Sequence, residues 1–535
     1  MATCGTHTCR FTVFAVPLLL LLFTGPGLGG RVLVYPVDGS HWINMKVLVK
    51  ALHARGHGVD VIRSSESWYI EEESPLYTSI TIPQDKLTEN FFLVYLKNYM
   101  QAQREGASAF TFLRLTSQFL SMISEAHAVN CAMLADILDQ ESLVRSLSEA
   151  RYDLVLTDPA IATGVVLAKR LGLPVVLNVR WITSGDGQYA IAPSPLSYVP
   201  VPGSGFTDKM SFTERIRNVL FYGVVLFQER VMVGPSYDAI CAKYIQGGCD
   251  VVSLIQEADI WLFRSDFVFD FPRPTMPNVV YIGGFQCWPG GLDSLPPDLE
   301  DFVGGAGEHG VIIMTLGSLV DALPDDVTEE IAGVFAKMPQ KVIWRHVGQR
   351  PSTLGNNTLM VDWMPQKDLL GHPQTRVFVA HGGTNGVQEA IYYGVPVLGI
   401  PLFFDQYDNL LRLQERGAGK IIPLAEVNGP SFEKGLQEVL HQDSYRHSMQ
   451  RLSRLHRDQP IPPLDLAIFW TEYVMRHKGA AHLRTEAYRM PWYAYYSVDV
   501  LVTLLAVVCV FFLSAVMMFR CLCCRGRRVS KAKQH

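Results

Sequence analysis

Cysteine is scarce in this chain of 535 residues, which holds only ten. Cys4 and Cys9 fall in the first stretch, and Cys509, Cys521, Cys523 and Cys524 fall in or after an apolar run near the C-terminus. Only Cys131, Cys241, Cys249 and Cys287 remain for the body. Four is too few for a disulfide-built scaffold, and no Cys-x-x-Cys or Cys/His cluster among them has zinc spacing. Positive charge is also in short supply. Lys and Arg number 46 against 51 Asp and Glu, a net charge of −5. Six of the basic residues lie between Arg520 and His535 with no acid, so the rest of the chain carries −11. That balance excludes a body built to bind nucleic acid. There is no Asp-x-Asp pair to clamp a divalent metal and no Walker lysine loop. A GxGxxG match at Gly305–Gly310 precedes a strand instead of following one, so its context is wrong for a dinucleotide.

What is present begins with targeting segments. Arg10 precedes a short apolar run, Phe11–Phe23, and Gly27-Leu28-Gly29 offers small residues for cleavage, so residues 1–29 read as a signal peptide. Val500–Phe519 is twenty residues without a charge, preceded by Trp492, Tyr493, Tyr495 and Tyr496 and followed by the basic tail. It reads as one membrane span over 498–519, with a juxtamembrane segment at 478–497 and a cytosolic tail at 520–535. The expected topology is single-pass type I in contact with a lipid bilayer. Lys531 and Lys533 stand fifth and third from the end, a spacing that suggests retrieval to the endoplasmic reticulum. Cys521, Cys523 and Cys524 abut the span as candidates for palmitoylation. Asn356-Asn357-Thr358 is a glycosylation sequon, with Asn356 as the acceptor.

Between these ends, short β-rich runs alternate with helical stretches. Arg31–Tyr35, Val59–Ile62, Asp153–Thr157 and Pro174–Asn178 read as strands, and so do Gly310–Thr315, Lys341–Arg345, Thr375–Ala380 and Val397–Ile400. The pattern predicts an α/β protein with parallel sheets covered by helices. The Pro- and Gly-rich stretch 271–299 divides it, giving two facing Rossmann-like domains at 30–270 and 300–477 with a cleft between them. Helix Pro463–Arg476 is expected to cross back toward the hinge. Phe212–Val233 is strongly apolar but too short to span a membrane. It reads as a buried helix, with membrane-surface contact or the lining of a greasy site as alternatives.

The stretch FVAHGGTNGVQEAIYYGVPVLGIPLFFDQYDNL, Phe378–Leu410, carries the chemistry. In open α/β sheets ligands bind beyond the carboxyl ends of strands, where a helix N-terminus offers N–H groups to a phosphate. His381-Gly382-Gly383-Thr384-Asn385 stands at that point, and its glycines allow backbone to approach an anion. Trp363 can stack on a base, Gln366 can bond its edge, and Glu389 can accept ribose hydroxyls. Thr315-Leu316-Gly317-Ser318 is a second strand-end turn suited to phosphate. Asp405 and Gln406 end the next strand and can bind sugar hydroxyls. In the first half, His41 and Asp158 both follow parallel strands. One crevice can therefore hold a histidine base and the carboxylate that fixes its tautomer.

Together, WMPQKDLLGHP (Trp363–Pro373) and the stretch from His381 to Leu410 resemble the donor signature of the UDP-glucuronosyltransferases, membrane-bound animal members of the UDP-glycosyltransferase family. PVDGSHWINMK (Pro36–Lys46), the LTDP at Asp158 and LFRSDFVFDFPRP (Leu262–Pro274) fit as well, so the likeness covers roughly Arg31 to Arg520. It implies a GT-B fold, with Trp363, Gln366 and Arg345 at the uridine and Glu389 on the ribose. Ser318, His381, Gly383 and Asn385 would hold the diphosphate, Asp405 and Gln406 the donor sugar. It further implies His41 as catalytic base, Asp158 as its partner, and inversion at the anomeric carbon. UDP-glucuronate would be the co-substrate, with no tightly bound cofactor and no required metal. Acceptors would be small lipophilic phenols and alcohols, and homo- or hetero-oligomers are implied. Arg264 is read either as partner of a sugar carboxylate or as an ion pair at the domain junction. The acceptor pocket is expected around Asn90–Ser121, with Phe91, Phe92, Tyr95, Phe110 and Phe112. The chain departs from the family pattern at Ala380, where Thr is common, and at Cys287–Gly291, near the hinge. The rival readings are transfer from UDP-glucose, UDP-galactose or UDP-N-acetylglucosamine, and a non-catalytic UDP-sugar-binding partner.

Overall fold

The computed structural model describes residues 29–84, 90–106, 108–179, 192–287, 295–317, 320 and 323–532. The expected signal peptide lies outside the described residues, apart from its last position, and so do Ser318 and Lys533. Among the described residues thirteen strands form two sheets, each parallel throughout. The first contains β1 (Arg31–Tyr35), β2 (Gly58–Ser64), β3 (Thr78–Ile82), β4 (Leu154–Thr157), β5 (Val175–Val179), β6 (Ile260–Phe263) and β7 (Val279–Tyr281) in the order 3-2-1-4-5-6-7. The second contains β8 (Val311–Thr315), β9 (Lys341–Arg345), β10 (Thr358–Val361), β11 (Thr375–Ala380), β12 (Val397–Gly399) and β13 (Gly419–Ile421) in the order 10-9-8-11-12-13. In each sheet the order reverses beside the first strand of the set, and that switch point opens a crevice at the strands' carboxyl ends.

The strands are apolar on both faces because helices cover both faces. Side chains alternate across each strand. Val32 and Val34 of β1 pack into one core, and Leu33 and Tyr35 into the opposite one. In β8, Ile312 and Met314 face one core while Val311 and Ile313 face the other. Each of these apolar side chains stabilises the fold by about 1.5–3 kcal/mol relative to exposure.

The helices that carry site residues, close the cores or reach the membrane are α1 (Ser40–Ala54), α2 (Asn90–Glu105), α3 (Ala109–Asp139), α4 (Phe212–Phe227), α5 (Thr384–Tyr393), α6 (Gln406–Glu415), α7 (Asp443–Arg457), α8 (Pro463–His477) and α9 (Val498–Ala532). Helix α8 returns to the first sheet as expected. Its Ala467, Ile468, Val474 and Met475 are buried in the same core as Val32 and Trp42. Helix α9 includes Val498–Leu522, 25 residues whose most apolar 18-residue window has a mean hydropathy of 2.9, long and apolar enough to span a bilayer.

Two expectations need correction. The stretch read as a linker contributes β7 to the first sheet, paired in register with β6, so Pro and Gly there flank a strand. Helix α4 is not buried, since only its Asn218 and Val225 are. Phe212, Leu220 and Phe227 are 70%, 66% and 54% exposed, and Ile216, Val219 and Val224 are exposed beside them. Apolar composition decided the expectation, but helical spacing gathers these residues on an outward face. Cys241 and Cys249 pair in a disulfide. Asn356 is exposed in the turn before β10.

Candidate active site

Strand β1 ends at Tyr35, and the chain turns through Gly39, whose φ of 72° suits only glycine comfortably, into α1. This places His41 in the first turn of α1 at the carboxyl edge of the sheet. Strand β4 lies beside β1 with Thr157 opposite Tyr35, and Asp158 follows directly. The two side chains meet although 117 positions separate them, with His41 Nδ1 2.7 Å from Asp158 Oδ2. Asp158 is fully buried, and its Oδ1 accepts the Ala160 N–H at 2.9 Å. Burial alone would raise its pKa. The neighbouring His41, the Arg264 guanidinium and the Ala160 N–H outweigh that effect and hold it below the usual carboxylate range. Arg264 Nη2 lies 3.9 Å from the same Oδ2, and Arg264 is 3% exposed.

On the facing half, β11 delivers His381, and Gly383 is the N-cap of α5, with no side-chain hydrogen bond capping the helix. The N–H groups of that first turn are thus suited to an anion. Space explains the glycines. A Cβ on Gly382, whose φ is 93°, would stand 2.6 Å from the Gln406 carbonyl oxygen. A Cβ on Gly383 or Gly317 would meet His381 Nε2 at 2.5 or 2.6 Å. The imidazole is therefore held between two glycines from neighbouring strand-end loops. Arg345, at the end of β9, donates to the Gly317 carbonyl at 2.5 Å and so braces the loop after β8.

Gln366 Nε2 donates to Glu389 Oε2 at 2.6 Å. Glu389 is buried, and burial pushes its carboxyl up to about 7 despite that hydrogen bond. Trp363 stands 64% exposed in the loop after β10, open as a stacking platform. Asp405 and Gln406 follow β12 at the next strand end. Asp405 Oδ2 accepts Thr384 Oγ1 at 2.9 Å and Asn409 Nδ2 at 2.7 Å, which ties α6 to the first turn of α5. Gln406 Oε1 accepts the N–H groups of Leu402 and Phe403 at 2.8 and 3.1 Å.

Several contacts cross between the halves. Asn44 of α1, one turn beyond His41, donates to Asn385 Oδ1 at the start of α5. Asp408 of α6 accepts the Gly203 and Gly205 N–H groups at 2.6 and 2.9 Å. Phe119 of α3 lies 5.8 Å from Phe404. Sequence reasoning passed over Asn44, Thr384 and Asp408. The spacing His41-x-x-Asn44 put Asn44 on the base's face of the helix, but nothing in sequence named its partner 341 positions away. A cavity of about 400 Å³ opens at the ends of β1 and β2, lined by Tyr35, Asp38, Arg63, Trp68, Asn130 and Met133. It adds a second candidate for the acceptor pocket to the expected aromatic stretch. In that stretch Tyr95 is buried and Phe110 exposed. The side chains of Phe91, Phe92 and Phe112 lie outside the described residues.

A family model described as UDP-glucoronosyl and UDP-glucosyl transferase matches residues 30–535. UDP-glucuronosyltransferase 1A5 of Rattus norvegicus is 41% identical over 522 residues, covering 97% of both chains. UDP-glucuronosyltransferase 1A3 of Homo sapiens is 39% identical over 522 residues, covering 97% of this chain and 96% of its own. Among solved structures, the spinosyn forosaminyltransferase SpnP aligns with a TM-score of 0.55 at 19% identity, over 84% of this chain and 99% of its own. Phytolacca americana UGT2, complexed with UDP-2fluoro-glucose and pterostilbene, aligns with a TM-score of 0.55 at 16% identity, over 83% and 99%. At those identities the structural likeness speaks for the two-sheet GT-B fold. Likeness over nearly the full length, together with the two parallel sheets, identifies the chain as a glycosyltransferase that belongs to the UDP-glucuronosyltransferase family.

Proposed function

We propose that this glycosyltransferase moves glucuronic acid from UDP-glucuronate to a hydroxyl of small lipophilic acceptors, releasing UDP and a β-glucuronide. The observation that carries the mechanism is the 2.7 Å contact between His41 Nδ1 and Asp158 Oδ2. With Nδ1 turned to the carboxylate, proton acceptance from the acceptor hydroxyl falls to Nε2. Asp158, held ionised by its neighbours, stabilises the imidazolium that results. The acceptor oxygen attacks the anomeric carbon in line, the bond to the diphosphate breaks, and configuration inverts. Charge developing on the diphosphate meets the N–H groups at the start of α5 and the His381 ring. Trp363 and Gln366 hold uridine, Glu389 the ribose, Asn385 and Gly383 the diphosphate, and Asp405 and Gln406 the sugar hydroxyls. No metal enters this reading.

Glucuronate as the donor sugar is supported by the names of the relatives near 40% identity. The family model's name also covers glucosyl transfer, which keeps UDP-glucose as the second reading. The setting proposed is the lumenal face of the endoplasmic reticulum, with α9 as the single anchor and Asn356 available for glycosylation.

Donor choice is the first test. Permeabilised membranes from cells expressing the full chain are given a simple phenol with each UDP-sugar in turn, and products are read by mass spectrometry. A glucuronide that falls by about 10²–10⁴-fold in the His41→Ala protein is the expected result. A hexoside with the same His41 dependence would move the donor to the second reading. Product undiminished by His41→Ala would remove the base.

A further inference from the structure

Among the described residues, four non-glycine residues adopt a positive φ: Arg151, Phe404, Lys478 and Ser497. Phe404, at 55°, is the one aromatic among them, and it immediately precedes Asp405. A bulky L-residue in the left-handed region is an outlier, because its Cβ crowds the following carbonyl. The surrounding turn leaves it little choice. Gln406 Oε1 accepts the N–H groups of Leu402 and Phe403 on one side. The Gln406 N–H returns to the Phe403 carbonyl at 3.3 Å, and Asp405 is pinned by Thr384 and Asn409 on the other. Glycine would satisfy this backbone without strain, so the feature retained at the cost of strain is the ring.

The ring lies between the two halves. It is half-buried, 4.9 Å from Phe403 and 5.8 Å from Phe119 of α3. Phe119 is 5.9 Å from Tyr95 of α2, and Tyr95 is 6.0 Å from Tyr99. Leu115 and Met122 complete a small apolar cluster to which the first half contributes every member except Phe404. The donor half thus extends one aromatic side chain, attached directly beside the proposed sugar-binding pair, into an aromatic group of the opposite half. Resting on the function proposed for the site, we propose that Phe404 is a specificity-determining residue. Its ring forms the acceptor-side wall next to the donor sugar and selects planar aromatic acceptors over flexible aliphatic ones by face and edge contact.

The test compares full-length wild type, Phe404→Gly and Phe404→Leu in permeabilised membranes, with a bicyclic phenol and a short-chain aliphatic alcohol as acceptors. KM and kcat are measured for each acceptor and for UDP-glucuronate, alongside melting temperature in detergent. Phe404→Gly should melt no lower than wild type, since it relieves the backbone, and should keep the donor KM within about twofold. Its KM for the bicyclic phenol should rise about five- to tenfold, and that for the alcohol should stay near wild type. Phe404→Leu should fall between. Equal changes for both acceptors, or a lower melting temperature with both KM values unchanged, would reduce the ring to packing and overturn the proposal. A raised donor KM alone would assign it to the donor site and overturn it equally. A wild type that transfers no sugar to either acceptor would remove the proposed function and this inference together. An active wild type with an indistinguishable Phe404→Gly would remove only the inference.

Discussion

At the scale of single residues, Glu389 makes a pH-dependent claim. Buried beside Gln366, its carboxyl titrates near 7 and not near 4.5. A carboxylate raised in the folded state binds protons there more tightly than in the unfolded chain. Its stabilising effect is therefore complete below about 4.5 and lost as pH rises through about 7. In the role proposed for Glu389, ribose hydroxyls donate to the ionised form, so binding of a UDP-sugar should strengthen from pH 6 to pH 8, with a proton released. Calorimetry in buffers of different ionisation heat would detect that proton. A UDP-sugar is the right probe, because the terminal phosphate of UDP has its own pKa near 6. Glu389→Gln should bind more weakly and lose this slope, and a slope preserved in that variant would assign the titration elsewhere. Asn44 makes a second claim. Its amide joins the helix of the proposed base to the first turn of the helix proposed to hold the diphosphate, so Asn44→Ala should lower kcat/KM by about tenfold, the effect of one hydrogen bond between polar groups. Melting temperature should change little, because the contact lies at the cleft and not in a core. A wild-type kcat/KM in that variant would show that the bridge does not matter to turnover.

At the scale of elements, the loop from β11 into α5 works by what it omits. Gly383→Ala would drive a Cβ onto His381 Nε2. Displacing either group should weaken UDP-sugar binding roughly 5- to 150-fold, the range of a 1–3 kcal/mol overpacking cost. Equilibrium binding of a fluorescent UDP-sugar would measure this, and binding unchanged from wild type would mean that the loop has room. Elements of this kind were legible in the sequence because their signals are local. A strand run ending at His381-Gly382-Gly383, with a helix pattern after it, can hardly be read otherwise. The pairing of His41 with Asp158 was legible for a related reason, since both follow strands and parallel topology brings strand ends together. Three things were not legible. Strand β7 was hidden by the Pro and Gly around it, because three residues are too few to show a period. The exposure of α4 was hidden because composition does not say which face of a helix finds a partner. The strain at Phe404 was hidden because it follows from hydrogen bonds made by Gln406 and Asp405, and no propensity of Phe foretells them.

At the scale of the whole molecule, the chain does not keep its halves separate in sequence. After completing the second sheet it returns through α7 to α8, whose Ala467, Ile468, Val474 and Met475 lie in the core of the first. Asp465 and Glu472 of α8 pair with Arg55 at the end of α1, and Glu472 also meets His57. A truncation that removes α8 therefore opens a core, whereas one that stops before Val498 removes only the apolar helix. The protein ending at Ser497 should leave the membrane, fold, and retain His41-dependent transfer. A protein ending at Pro462 should be degraded or aggregated, because the buried face that α8 covers would meet water. Fractionation after a high-salt wash, with activity measured in both fractions, distinguishes these outcomes. The exposed face of α4 sets the condition on the first of them. If the protein ending at Ser497 stays with the membrane, Phe212, Leu220 and Phe227 are the apolar groups available to hold it. Adding Leu220→Gln and Phe227→Gln should then release it with activity intact. Retention that survives those substitutions would place the second contact on another surface, and clean release of the unsubstituted protein would show that α9 alone accounts for attachment.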